Sequence, residues 1–235
     1  MNGIKAVPAV LWLAALLFAA GCTQKSAAPS ADKTVVKQEE YAGVLAAGQA
    51  FGVSPAEGVY VTKLFSYTGA SPENAEGKTV KNAAAVEIVN LSPLAFRCLD
   101  FTISCGEDAY RFFVTALPVG GRLTAVEKEG TPLGSAEAPS LTVKSAEPYA
   151  EALSLHAELF AVTVKQGAIE VKSRSAETLG GVTLYYKPCD ENGFLGGMTR
   201  RLRFGELKAG ETLSLPAPAA APGRCKVLFT EYSAA

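Results

Sequence analysis

An order of short apolar runs that occurs twice constrains this chain more than any other feature. Val86-Glu87-Ile88 in the first half corresponds to Ile169-Glu170-Val171 in the second. Thirteen residues after the first member of each, an alternating run begins: Leu99-Asp100-Phe101-Thr102-Ile103 in one, Val182-Thr183-Leu184-Tyr185-Tyr186 in the other. Successive side chains leave a strand on opposite sides, so alternation of apolar and polar residues marks a strand with one buried face. Each copy then meets a polar turn, Gly106-Glu107-Asp108 in the first and the longer Cys189-Asp190-Glu191-Asn192-Gly193 in the second. Next, Leu117-Pro118-Val119-Gly120-Gly121-Arg122-Leu123 is matched by Leu207-Lys208-Ala209-Gly210-Glu211-Thr212-Leu213. Both copies close on a candidate strand, Leu141-Thr142-Val143 and Lys226-Val227-Leu228-Phe229. Runs this short, separated by turn residues, predict an all-β chain of small antiparallel sheets. The repeat predicts two related units in tandem, residues 57–148 and 150–235.

Other segments fit the same scheme. Val59 to Phe65, Ala84 to Val89 and Tyr110 to Val114 are β-prone, and Thr68 to Gly77 is polar and small enough to read as a loop. Upstream, Glu39 to Phe51 suits a short helix with Tyr41, Val44 and Leu45 on one side, although Gly43 and Gly48 weaken it.

The N-terminus has a different character. Lys5 precedes an apolar run from Ala9 to Phe18, shorter than the roughly 20 residues a membrane-spanning helix needs. Small residues then lead into a cysteine, Ala19-Ala20-Gly21-Cys22. This segment resembles the lipobox signal peptide of bacterial lipoproteins. The resemblance implies that residues 1–21 are removed and that the Cys22 thiol carries lipid, which attaches the chain to a membrane. Residues 22–56 then form a lipidated tether, opening with the polar, proline-containing stretch Thr23 to Lys33. Thr23 stands where an aspartate would favour inner-membrane retention. The implied address is extracytoplasmic: the outer membrane where there are two membranes, otherwise the outer face of the plasma membrane.

A second resemblance rests on the alternating strands. Val182-Thr183-Leu184-Tyr185-Tyr186 matches the Leu-Tyr core of bacterial immunoglobulin-like modules of the FxLYD type, and Phe101-Thr102-Ile103-Ser104-Cys105 keeps the phenylalanine. It implies an immunoglobulin-like β-sandwich for each unit and names no ligand.

Charge and side-chain inventory narrow the function. With 22 basic and 23 acidic residues the chain has no electrostatic footprint for nucleic acid. Setting Cys22 aside leaves Cys98, Cys105, Cys189 and Cys225. Outside the cytoplasm an even number permits disulfides, and free buried thiols are the alternative. Cys98 and Cys105 share one expected strand, where seven residues span about 23 Å, far beyond bridging distance. Cys189 and Cys225 are free to meet across strands. No spacing supplies the paired ligands of a zinc site. His156 is the only imidazole, no Gly-x-Ser-x-Gly elbow occurs, and the pairs Glu107-Asp108 and Asp190-Glu191 sit in turns. The reading is therefore non-enzymatic, with no catalytic residue, cofactor or metal assigned.

Binding residues are easier to nominate. Alternation puts Tyr186 in the core with Val182 and Leu184, and Tyr185 outside with Thr183 and Lys187. Arg201 and Arg203 share one strand face, as a patch for an anionic or acidic partner or as protection of a sheet edge. Tyr185, Arg201 and Arg203 are the candidate contacts. The expected function is a lipid-anchored structural or interaction module of the cell envelope with a protein partner. The alternative is a surface lipoprotein binding a glycan or other small ligand.

Overall fold

The computed structural model describes residues 53–71, 79–134, 138–190, 192–218 and 220–234, and these are all-β with no helix. The first half supplies β1 (Val53–Ala56), β2 (Val59–Ala70), β3 (Thr79–Asn90), β4 (Phe96–Cys105), β5 (Asp108–Leu117), β6 (Arg122–Val126) and β7 (Ser140–Pro148). The second supplies β8 (Phe160–Lys165), β9 (Ala168–Ser173), β10 (Leu179–Pro188), β11 (Leu195–Gly196), β12 (Arg200–Leu207), β13 (Thr212–Pro216) and β14 (Cys225–Ala234). They assemble into sheets of order β1-β2-β3-β6-β11, β5-β4-β7, β13-β9-β8 and β12-β10-β14. All pairings are antiparallel except that of β11 with β6.

Both halves are threaded alike. The run β2-β3-β6 with β5-β4-β7 has the same order as β8-β9-β13 with β12-β10-β14. The agreement extends to single hydrogen bonds at the corners. Asn90 N donates to Gly121 O at 2.9 Å, and Ser173 N to Glu211 O at 2.8 Å. Gly121 N donates to Pro118 O, as Glu211 N does to Lys208 O, and Glu127 N to Ala84 O, as Ala217 N does to Gly167 O. The repeated Leu-x-x-Gly is the turn that makes these bonds. Its glycines, Gly120 (φ 64°) and Gly210 (φ 69°), take the left-handed conformation that other residues adopt only with strain.

Two buried clusters lie between the sheets. Leu99, Phe101 and Ile103 of β4 meet Val86, Ile88, Phe112, Val114 and Leu123, and Phe101 stacks on Phe112 at 5.5 Å. In the second cluster Val182, Leu184 and Tyr186 of β10 meet Ile169, Val171, Phe204 and Leu207. Each such side chain contributes about 1.5–3 kcal/mol by leaving water, which makes these inward rows the main stabilising term.

The strands differ from the expected runs at several edges. They begin at Val53, ahead of the boundary expected at residue 57, because β1 adds to β2 and buries Pro55. β2 continues through Thr68, Gly69 and Ala70, which composition assigned to a loop, because Ala70 and Gly69 still pair with Thr79 and Val80. The helix expected over 39–51 lies outside the described residues.

The corner after β3 shows how the two copies have diverged. Asn90 is fully buried, and its amide nitrogen donates to Leu94 O at 2.8 Å and Pro118 O at 3.1 Å. Its side-chain oxygen accepts from Ser92 N at 3.0 Å and Ser92 Oγ at 2.7 Å. Ser173 holds the equivalent place in the second copy, and its buried hydroxyl makes no hydrogen bond. Asn90→Ala is expected to cost about 2–3 kcal/mol by stranding buried partners. Ser173→Ala is expected to be neutral or stabilising by up to about 1 kcal/mol, since it removes an unmatched polar group. Urea denaturation midpoints of the two variants check the contrast.

Candidate functional site

Tyr185 lies on the central strand β10, with Arg201 of β12 on one side and Phe229 of β14 on the other. One step along, Thr183 lies between Arg203 and Glu231. Arg201 and Arg203 are exposed on the edge strand β12, whereas Arg200 is half-buried beside Tyr186. The sheet thus brings Tyr185, Arg201 and Arg203 onto one outer face. Cys22 lies outside the described residues.

Tyr185 is half-buried and its ring stacks on Phe229 at 4.3 Å with 9° between the planes. Phe229 in turn meets the edge of Tyr149 at 5.6 Å. The Tyr185 hydroxyl donates to Glu231 Oε2 at 2.7 Å. One face of the Tyr185 ring is therefore taken, which leaves less of it for stacking on a sugar. Burial pushes its phenol up to about 12, helped by the Glu231 carboxylate and opposed by Arg201.

Lys187 departs from the alternation that grouped it with Tyr185 and Thr183 on the solvent face. It is fully buried. The β10–β14 register shifts between Tyr185 and Tyr186, and beyond that point the Lys187 ammonium donates to Gly196 O at 2.7 Å and to Gly197 O. Those carbonyls belong to a tongue between β10 and β12 whose only sequence signal is the greater length of the second polar turn. Asp190 Oδ1 starts the tongue by accepting from Asn192 N at 2.9 Å and Phe194 N at 2.8 Å.

The tongue reaches the first half of the chain. Leu195 and Gly196 pair in parallel with Leu123 and Thr124, and Leu195 is buried in the first cluster. Thr115 N donates to Gly197 O at 3.0 Å, Thr199 N to Thr115 Oγ1 at 2.8 Å, and Thr199 Oγ1 to Thr115 O at 2.9 Å. The Arg122 guanidinium lies 4.1 Å above the Phe194 ring. The tongue therefore closes the side of the first cluster where the edges of β5 and β6 adjoin.

The remaining reactive groups serve as ties. Buried Asp100 accepts from Arg111 Nε at 2.9 Å and Nη2 at 2.6 Å, with Lys144 at 3.7 Å. The bonds from Arg111 hold its carboxyl below the usual range. Buried Glu127 accepts from Glu129 N and Thr131 N and so shapes the turn after β6. His156 Nδ1 is 3.3 Å from Glu158 Oε1, and its ring meets Tyr232 edge-on. All four described cysteines are free thiols. Cys98 and Cys105 lie at opposite ends of β4; Cys189 and Cys225 are near in the ladder but pack toward different clusters. Burial raises each thiol, Cys225 to about 11, which keeps it protonated and weakly nucleophilic at neutral pH. Among the described residues no group of three His, Cys, Asp or Glu is placed to hold a metal. Comparison with protein-family models, curated proteins and solved structures finds no match to this chain.

Lys187→Met is expected to cost about 2 kcal/mol or more, because two buried carbonyls lose a charged donor. In calorimetry the variant should separate the unfolding of the two halves. Tyr185 gives a second test. Its phenol pKa is raised on folding, so the stability it contributes is fully present below pH 10 and is lost as pH rises through about 12. Tyr185→Phe should flatten the fall in stability over that alkaline range, read from melting temperature against pH.

Proposed function

We propose that this protein is a lipid-anchored, non-enzymatic structural or interaction module of the bacterial cell envelope. The observation that carries the anchor is the order Lys5, apolar run, Ala19-Ala20-Gly21-Cys22. Its chemistry is thioether attachment of lipid to Cys22 after removal of residues 1–21. Each buried methylene of the attached chains contributes about 0.8 kcal/mol, so two or three chains hold the protein stably at a membrane. The tether then gives the folded part reach over the extracytoplasmic surface, on the outer membrane where one is present.

The folded part is read as two immunoglobulin-like β-sandwiches in tandem, in keeping with the repeated threading and corner bonds. The non-enzymatic reading draws on how the buried ionisable groups are used. Asp100, Glu127 and Lys187 are all engaged in holding strands and turns. A protein partner fits a fold whose exposed features are strand edges, two arginines and loop tips. Cys22→Ser is expected to abolish radiolabelled fatty-acid incorporation and to release the protein from membranes. Persistent labelling of that variant would refute the anchor. Crosslinking of the native lipoprotein is expected to recover the same envelope proteins repeatedly.

A further inference from the structure

The tongue fills one half of a duplicated fold and leaves its counterpart open. In the first half, Phe112, Leu123 and Ala125 line the side where β5 and β6 adjoin, and all are fully buried, with Leu195 packed among them. The repeat places Leu202, Leu213 and Leu215 at the equivalent positions of β12 and β13. These three are only half-buried, and Thr212 and Ser214 beside them are exposed. Among the described residues β13 pairs with β9 alone, so its outer edge, the counterpart of the edge on which β11 lies, carries no strand.

We infer that the side of the second half between β12 and β13 takes up an extended segment of a partner protein, added in parallel to the β13 edge. The contact with β6 supplies the chemistry of the incoming segment: a large aliphatic side chain to cover Leu202, Leu213 and Leu215, followed by small residues that let the backbones approach. A strand edge supplies its main-chain hydrogen bonds, and the half-buried leucines supply its side-chain pocket. The receptor also differs from its counterpart in ways that define the ligand. Arg122, which lies over Phe194, is replaced by Thr212, and Thr115, which bonds Thr199, is replaced by Gly205. The incoming segment therefore needs neither an aromatic residue before the aliphatic one nor a hydroxyl after it. This inference deepens the interaction-module reading by naming the surface used and the partner's chemistry.

The test uses the full chain and a synthetic peptide with the sequence of residues 192–199. Hydrogen exchange followed by mass spectrometry should show slower exchange in residues 212–216, about tenfold where the peptide is at about ten times its dissociation constant. A peptide carrying Leu195→Asp should give no such protection. No protection of residues 212–216 at millimolar peptide would overturn the inference, as would equal protection by the Asp peptide or protection confined to residues 122–126. Concentration-dependent dimerisation of the chain without peptide, lost on blocking this edge, would assign the side to a second copy and also overturn it. Envelope crosslinks through other surfaces would leave the module reading intact while this inference failed.

Discussion

Burial of one face of β4 and of β10 is the constraint on which the rest of the structure depends. Each central strand turns three large side chains inward: Leu99, Phe101 and Ile103 in one, Val182, Leu184 and Tyr186 in the other. Because the side-chain period of a strand is two, any slip of register by one residue would drive these rows into solvent. The flanking strands, the corner turns and the position of every outward residue follow from that register. Arg201 and Tyr185 are outer neighbours because Leu202 and Leu184 are inner ones.

Duplication explains much of what surrounds those rows, and divergence explains the rest. The Leu-x-x-Gly turn returns to the end of β3 or β9 through the same backbone bond in both halves. At the same corner Asn90 satisfies four hydrogen bonds, whereas Ser173 satisfies none with its side chain. The larger divergence is the longer turn after β10. With Lys187 behind it and Leu195 at its tip, it makes the second half a support for the first. A buried ammonium is tolerated there because two carbonyls replace its water.

Alternation and turn residues made β2 to β7, and most of β9 to β14, legible before any coordinates. Each of these strands buries one face, and a period of two records that burial directly. β11 was not legible: two residues, Leu195 and Gly196, carry no period, and their partner β6 lies far back in the chain. Lys187 misled for a related reason. Periodicity assumes an unbroken ladder, and the β10–β14 register shifts just before it. Among the candidate contacts, the sharing of one face by Arg201 and Arg203 was readable from spacing. The stacking of Tyr185 on Phe229 was not, since it depends on which strands become neighbours.

The sequence by itself determined the all-β class, the twofold order of strands, and the export and lipid chemistry expected at Cys22. These are local properties, written in alternation, turn residues and the short segment around one cysteine. Only the tertiary structure decided that Lys187 is buried, that the second turn plugs the first core, and that Tyr185 has one face covered. Each of these depends on contacts between residues far apart in the chain, where a one-residue shift of register exchanges a solvent face for a core face.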